Sequence, residues 1–147
     1  IVDAAPQTAR LIRAAREIND GKPQWVIDQV KAAAFDVQQA TGRAPVVAAL
    51  GLAFKPNIDD LRESPALNIT KDLAEALPEA KILAVEPNVS ELPKALSGMA
   101  NVELAAHQDA IERADVLLVL VDHDEFKAVP ATALAGKTVV DTKGLWR

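Results

Sequence analysis

From residue 46 onward, short apolar runs alternate with segments of helical periodicity, and this alternation constrains the fold more than any other feature. Continuous apolar runs are typical of parallel strands, which are covered on both faces. They read VVAALGLAF (46–54), KILAVE (81–86), NVEL (101–104), DVLLVLV (115–121) and TVVDTK (138–143). The pattern predicts an α/β fold, a Rossmann-like parallel sheet with helices on both faces and strand order 3-2-1-4-5.

A long helical arm precedes the predicted sheet. Its apolar residues recur at helical spacing and are Leu11, Ala15, Ile18, Val26, Val30, Ala33 and Val37. Gly21 and Pro23 interrupt the series, which predicts either two helices or one helix bent at that point. The segment TGRAP (41–45) then has the composition of a linker. We therefore predict a helical arm in residues 1–43 and a sheet domain in residues 44–147.

Composition excludes several classes of function. The chain of 147 residues has no cysteine, so it contains no disulfide, thiolate metal site or cysteine nucleophile. Its two histidines, His107 and His123, lack metal-ligand spacing, and no metal site is predicted. The net charge of −5 argues against nucleic acid and anionic membranes as partners. No signal-peptide pattern occurs, and we expect a cytoplasmic protein.

The strand order also predicts where a ligand binds. In open parallel sheets, ligands bind beyond the carboxyl ends of the strands where the order reverses, which here is between the first and fourth strands. The residues that follow the relevant strands are Phe54, Lys55, Asp122, His123, Thr142 and Lys143. This arrangement predicts that Lys55 and Lys143 lie around one crevice.

The loop after the first strand lacks most of the glycines of a dinucleotide-binding fingerprint. G-x-G-x-x-G is replaced by G-L-A-F-K-P, which keeps Gly51 but places Ala53 and Pro56 at the other two positions. We therefore expect no ordinary dinucleotide binding here. Phe54 offers an apolar wall, Lys55 a point charge, and Arg62 a planar fork for a phosphate, a combination that favours a sugar nucleotide.

Each of these residues also has a purely structural interpretation. Phe54 is equally compatible with core packing at a strand end, and single lysines are usually solvated. Arg62 can pair with Asp59, Asp60 or Glu63 in a surface network. His123 is more typical of a loop residue than of an acid or base. The residues alone leave these alternatives open.

Four segments resemble a known family. GLAFKPNIDDLRESPALNI is similar to the signature that opens the C-terminal domain of the UDP-glucose/GDP-mannose dehydrogenase family. AREINDGKPQWVIDQV resembles the helix that links the family's central domain to this one. ADVLLVLVDHDEFK and the terminal VVDTKGLWR continue the resemblance in order. It extends over nearly the whole chain.

The resemblance implies a UDP-sugar-binding domain of an NAD-dependent enzyme that oxidises a C6 alcohol to a carboxylate in two steps. In such enzymes Phe54, Lys55 and Lys143 would contact the substrate, and Arg62 would reach NAD held by an N-terminal domain. The catalytic cysteine would lie before residue 1, so this chain would hold no catalytic residue and no activity alone. The helical arm would help to form a homodimer. The alternatives are a stand-alone nucleotide-binding regulatory module and a helix-mediated assembly domain.

Overall fold

The computed structural model describes residues 6–57, 61–62 and 64–146, with side chains from residue 23 onward. Its centre is a five-stranded parallel sheet of order β3-β2-β1-β4-β5. The strands are β1 (Val46–Leu50), β2 (Lys81–Val85), β3 (Val102–Leu104), β4 (Val116–Val119) and β5 (Thr138–Asp141). The predicted α/β class and strand order are confirmed.

The helices are α1 (Pro6–Thr41), α2 (Pro65–Ala76), α3 (Lys94–Ser97), α4 (His107–Arg113) and α5 (Asp124–Lys127). Pro23 lies inside α1, which is a single helix, so the alternative of two helices is wrong. Residues 131–134 form a 3₁₀ turn.

The two faces of the sheet are covered by different helices. Successive residues of a strand face opposite sides, so Val47 and Ala49 join the core beneath α1 and α2. Ala48 and Leu50 join the core beneath α4 and α5. All four are fully buried. This two-sided burial is why β1 reads as one uninterrupted apolar run.

The second half of α1 packs into the core of the sheet. Val26, Ile27 and Val30 are buried in the same cluster as Leu73 of α2. The predicted division into a helical arm (1–43) and a sheet domain (44–147) stays a prediction. Side chains of α1 are described from residue 23 onward, so the division would have to be judged from part of the helix. None of the described helices combines the length and the apolar character that crossing a membrane requires.

An ion pair ties the segment after α1 to the start of β4. The guanidinium of Arg43 donates to both carboxylate oxygens of Asp115, at 2.8 and 2.6 Å. The same carboxylate accepts the N–H of Val46 at 2.9 Å. The hydrogen bond from Arg43 is the largest influence on the pKa of Asp115, which lies below its usual value. Asp115 therefore joins the linker, β1 and β4 at one end of the sheet.

Candidate ligand-binding site

The carboxyl ends of β1, β4 and β5 open into a cleft beside the start of α2. It consists of two adjoining cavities of about 290 and 80 Å³, which share Pro65, Ala66, Leu120 and Lys143. The larger cavity is also lined by Pro23, Val26, Ile69 and Thr142. The smaller is also lined by Ala53, Phe54, Pro56, Val121 and Asp122. The cleft thus lies where the strand order reverses, as the sequence predicts.

The structure brings some of the predicted site residues together. Phe54 is 50% exposed and lines the smaller cavity, so its interpretation as a core residue is wrong. Lys143 is exposed and lines both cavities, and the partly buried Asp122 lines the smaller cavity together with Phe54. These three residues place an apolar ring, a cation and a carboxylate around one opening.

Lys55 and Arg62 are exposed, and neither occurs among the described residues that line the two cavities. Their roles toward substrate and NAD stay predictions. The alternative that Arg62 pairs with Asp59, Asp60 or Glu63 lies outside the described residues. Of the two lysines predicted to lie around one crevice, Lys143 lines the cleft and Lys55 is not among its lining residues.

The first glycine of the fingerprint has a steric role in this chain. Gly51 has φ +98°, and a Cβ at this position would lie 2.5 Å from the Cβ of Val121. Its N–H donates to the carbonyl of Val85 at 2.8 Å. Gly51 lets the chain turn sharply out of β1 while passing directly against the segment that follows β4.

The loop that follows β1, residues 51–57, is called the β1 loop below. Its first amides are occupied by the protein itself. The N–H groups of Leu52 and Ala53 both donate to Oε1 of Glu86 at 3.0 Å. In a Rossmann site the corresponding amides face a pyrophosphate. Because a buried carboxylate takes them here, the β1 loop does not fit NAD in the ordinary manner. The occupied amides are thus a second reason, beside the missing glycines, why the loop does not fit a dinucleotide. The sequence does not reveal this second reason.

Glu86 is bound at both oxygens. Oε1 also lies 2.8 Å from Nε2 of His123, and Oε2 accepts the backbone and side-chain N–H groups of Asn88 at 3.1 and 3.0 Å. Burial, the largest single influence, raises the pKa of Glu86, but the hydrogen bonds from His123, Leu52 and Asn88 together bring it below its usual value. The carboxylate is therefore ionised and serves as an internal anion.

His123 is fully buried and holds the far end of the β1 loop. Its Nδ1 accepts the N–H of Asn57 at 2.8 Å, so the ring proton must lie on Nε2, which donates to Glu86. Both ring nitrogens are thus occupied, and the interpretation of His123 as an acid or base at the cleft is wrong. The sequence places His123 after β4 but does not indicate this pairing.

Lys143 is carried by a turn that Asp141 organises. The carboxylate of Asp141 accepts the N–H groups of Lys143 and Trp146 at 3.0 and 2.9 Å. The indole N–H of Trp146 donates to the carbonyl of Phe126 at 2.9 Å. Burial is the largest influence on the pKa of Asp141 and raises it, but the backbone hydrogen bonds together lower it. Asp141 is a functional candidate that sequence reasoning missed.

Ser64 places the N-terminus of α2 at the cleft. Its hydroxyl donates to the carbonyl of Leu52 at 2.6 Å and accepts the N–H of Leu67 at 3.3 Å, so it both joins the β1 loop and caps the helix. The next two residues, Pro65 and Ala66, line both cavities. A helix N-terminus carries a partial positive charge, which adds to that of Lys143.

The model of the UDP-glucose/GDP-mannose dehydrogenase family, UDP binding domain, matches residues 48–147. The chain belongs to this family. The match includes the β1 loop, the N-terminus of α2 and the turn of Lys143, and so covers most of the residues that line the cleft. The resemblance carried by the four sequence segments is confirmed.

Three relatives illustrate the relationship. The chain is 55% identical, over all of its length, to UDP-N-acetyl-D-mannosamine dehydrogenase of Salmonella typhi, of which it spans 35%. It is 47% identical over 99% of its length to NDP-N-acetyl-D-galactosaminuronic acid dehydrogenase of Ralstonia nicotianae, of which it spans 32%. The solved UDP-N-acetyl-mannosamine dehydrogenase of Staphylococcus aureus is 32% identical, with a TM-score of 0.67 over 94% of this chain and 31% of that one.

The chain therefore spans about a third of the length of these dehydrogenases. Within the family, its variants FKPNIDDLRESPA, NDGKPQWVIDQVKAA and KGLWR resemble UDP-N-acetyl-D-mannosamine dehydrogenase, in agreement with the relatives of Salmonella typhi and Staphylococcus aureus. The alternatives of a stand-alone regulatory module and of an assembly domain receive no support from them.

Proposed function

We propose that the cleft binds the UDP part of a UDP-sugar. The chain would be the C-terminal substrate-binding part of an NAD-dependent UDP-sugar 6-dehydrogenase. Its substrate would be UDP-N-acetyl-D-mannosamine, oxidised in two steps to UDP-N-acetyl-D-mannosaminuronate. The observation that carries the proposal is that a UDP binding domain model covers most of the residues that line the cleft at the switch point.

The lining suits a nucleoside diphosphate. Lys143 and the N-terminus of α2 supply positive charge on one side, where a diphosphate would be attracted. The half-exposed ring of Phe54 offers a flat apolar surface to a base or sugar. Lys55, on the same loop, would reach the ligand from its open side.

NAD would be held mainly by a domain outside this chain. It would accept hydride in both steps, since an alcohol becomes a carboxylate through two oxidations. The β1 loop does not fit the dinucleotide, and the proposed contact of this chain with it is Arg62. We assign no catalytic residue to the chain, and it should form no NADH from UDP-N-acetyl-D-mannosamine and NAD. NADH formation by the isolated chain would contradict this assignment.

We also propose that α1 contributes to a homodimer in the cytoplasmic full-length enzyme. Trp25 and Phe35 on this helix are 56% and 61% exposed, which is unusual for large apolar side chains on a helix that otherwise packs into a core. Sedimentation of the full-length enzyme would test this, with a monomer as the contrary result.

Isothermal titration of the 147-residue chain with UDP and with NAD tests the binding proposal. We expect UDP to bind and NAD to bind far more weakly. Lys143→Ala should weaken UDP binding about tenfold, equivalent to about 1.4 kcal/mol. Lys71→Ala, which removes an exposed lysine of α2 outside the cleft, is the matched control and should have no effect.

Two outcomes would favour the alternatives instead. NAD binding without UDP binding would point to a regulatory nucleotide module. Unchanged ligand binding in both Lys55→Ala and Lys143→Ala would point to an assembly role.

A further inference from the structure

We propose that Glu86 and His123 are positioning residues, which together clamp the β1 loop in the shape that presents Phe54 and Lys55 to the ligand. This inference rests on the proposed function of the cleft. It adds that the geometry of the binding loop depends on a buried pair that would not itself touch the ligand.

The clamp joins both ends of the loop. At the start of the loop, Leu52 and Ala53 donate their N–H groups to Oε1 of Glu86. At its end, Asn57 donates its N–H to Nδ1 of His123. The imidazole closes the connection, because Nε2 lies 2.8 Å from the same Oε1. One carboxylate and one ring therefore hold three loop amides.

Phe54 and Lys55 lie between the two anchored ends. Phe54 is half exposed and Lys55 is exposed, so neither side chain is held in place by burial. Their positions must then follow mainly from the backbone on either side. The clamp supplies that constraint at residues 52, 53 and 57.

The ring of His123 is itself held firmly. Phe126, which is fully buried, packs edge-on against it with ring centroids 5.4 Å apart. Glu86 and His123 are also buried, and each of their polar side-chain atoms has a hydrogen-bond partner. Buried networks that are fully satisfied hold a single geometry, because any alternative leaves a polar group unpaired.

The end of the loop is in a conformation that needs support. Asn57 has φ +62°, in the left-handed region that non-glycine residues rarely adopt. Its N–H is bound to His123, and its side-chain oxygen accepts the N–H of Asp124 at 3.0 Å. Strain of this kind persists only where surrounding contacts determine it, and such sites cluster at ligand-binding loops.

The two nitrogens of His123 have separate tasks, which allows them to be tested separately. Asparagine at this position keeps an acceptor near Nδ1, for Asn57, but loses the donor to Glu86. Glutamine keeps a donor near Nε2, for Glu86, but loses the acceptor for Asn57. Both replace the same buried ring by an amide, and asparagine is the smaller by one methylene. A general loss of packing would therefore weaken the asparagine variant at least as much as the glutamine variant.

The experiment combines UDP titration with amide hydrogen exchange, measured by NMR on the 147-residue chain. In His123→Gln we expect the Asn57 amide to exchange at least about tenfold faster and UDP to bind at least about tenfold more weakly. In His123→Asn we expect UDP affinity to stay within about threefold of the unsubstituted chain. His107→Gln, at the start of α4, changes the other histidine ring that packs against Phe126 and is the matched control for that packing; it should behave as the unsubstituted chain.

Amide exchange and the protonation of the His123 ring can also be measured on the unsubstituted chain, so the test does not depend on whether either variant folds. The amides of Leu52, Ala53 and Asn57 should be protected from exchange, and the ring nitrogens of His123 should show a proton on Nε2 alone. Unprotected amides, or a proton on Nδ1, would overturn the clamp.

The titration separates this inference from the function on which it rests. If the unsubstituted chain does not bind UDP, the proposed function fails, and the exchange data still decide whether the clamp exists. If it binds UDP and His123→Gln binds equally well, the function stands and the positioning role is overturned. Equal weakening in the Gln and Asn variants would likewise reject the separate roles of the two nitrogens.

Discussion

Gly51 lies directly against Val121, so closely that a Cβ on the glycine would be 2.5 Å from the Cβ and 3.0 Å from the backbone nitrogen of Val121. The position also requires φ +98°. Two independent constraints, close approach and backbone conformation, therefore select glycine here. They act at the point where β1 ends and the cleft begins.

Gly51→Ala should for this reason destabilise the protein by at least about 2 kcal/mol, since the left-handed conformation alone costs about 1–3 kcal/mol for other residues. Urea unfolding would measure the change. Gly98→Ala is the matched control, because a Cβ there meets no atom within 4 Å and the residue has an ordinary φ of −89°. Equal stability of the two variants would contradict the steric role of Gly51.

The strands could be predicted from sequence because the signal of each strand is local, and their order could be expected from the alternation with helices and the right-handed crossovers that join parallel strands. Each apolar run covers a few residues, and burial on both faces removes the polar residues that would otherwise alternate. The cleft follows from that order, which is why Phe54, Asp122 and Lys143 could be placed near one another before any coordinates. The direction in which Lys55 points depends on loop geometry, and no local pattern encodes it.

The clamp could not be predicted, because its partners are far apart along the chain. Glu86 bonds to residues 33, 34 and 37 positions away, and only the folded sheet brings them together. In the sequence, Glu86 is only the acidic residue at the end of the second apolar run. Asn57 carries a weak local signal, since asparagine is enriched among residues with positive φ.

Pro23 is a case in which a local sequence rule predicts an interruption of a helix that the folded structure does not have. A proline inside a helix predicts a break, yet α1 continues through it. Val26, three residues later, is buried against the sheet, and this tertiary burial offsets the local cost.

The pair of Arg43 and Asp115 should make stability depend on acid pH. The hydrogen bond from Arg43 lowers the pKa of Asp115 in the folded state relative to the unfolded state. Its contribution is therefore fully present above the unfolded pKa and is lost as the pH falls through the folded pKa. Urea unfolding across the acid range should show this loss, and Asp115→Asn should reduce the slope.

Asp36→Asn is the control for the acid series, because it removes an exposed carboxylate of α1. Its slope should match that of the unsubstituted chain. If Asp115→Asn retains the full acid dependence, the pair does not link protonation to folding.

Ser64→Ala should cost about 1–3 kcal/mol of stability, because the variant loses a helix cap and leaves the buried carbonyl of Leu52 without its donor. UDP affinity should fall as well, since Pro65 and Ala66 would no longer be held at the cleft. Ser97→Ala provides the comparison, as Ser97 is exposed and its hydroxyl donates to the carbonyl of Lys94 in the same short helix. Thermal unfolding measures the stability, and UDP titration measures the affinity. If the stability fell and the affinity did not, Ser64 would cap the helix without influencing the binding site.

Asp141→Asn should weaken UDP binding by loosening the turn that carries Lys143. One carboxylate oxygen accepts the N–H of Lys143 and the other that of Trp146, and backbone hydrogen bonds from Gly144 and Leu145 also reach the group. An amide can accept at its single oxygen only, so part of this set of hydrogen bonds is lost in the variant. We expect UDP affinity to fall about threefold to tenfold, less than in Lys143→Ala, because the lysine is displaced and not removed. Asp72→Asn, an exposed change on α2, should leave UDP affinity unchanged.

A double variant tests the route by which Asp141 acts. In Asp141→Asn combined with Lys143→Ala the two losses of affinity should not add, since the turn would act on the ligand through the side chain of Lys143 alone. Additive losses would show that Asp141 influences UDP binding by another route.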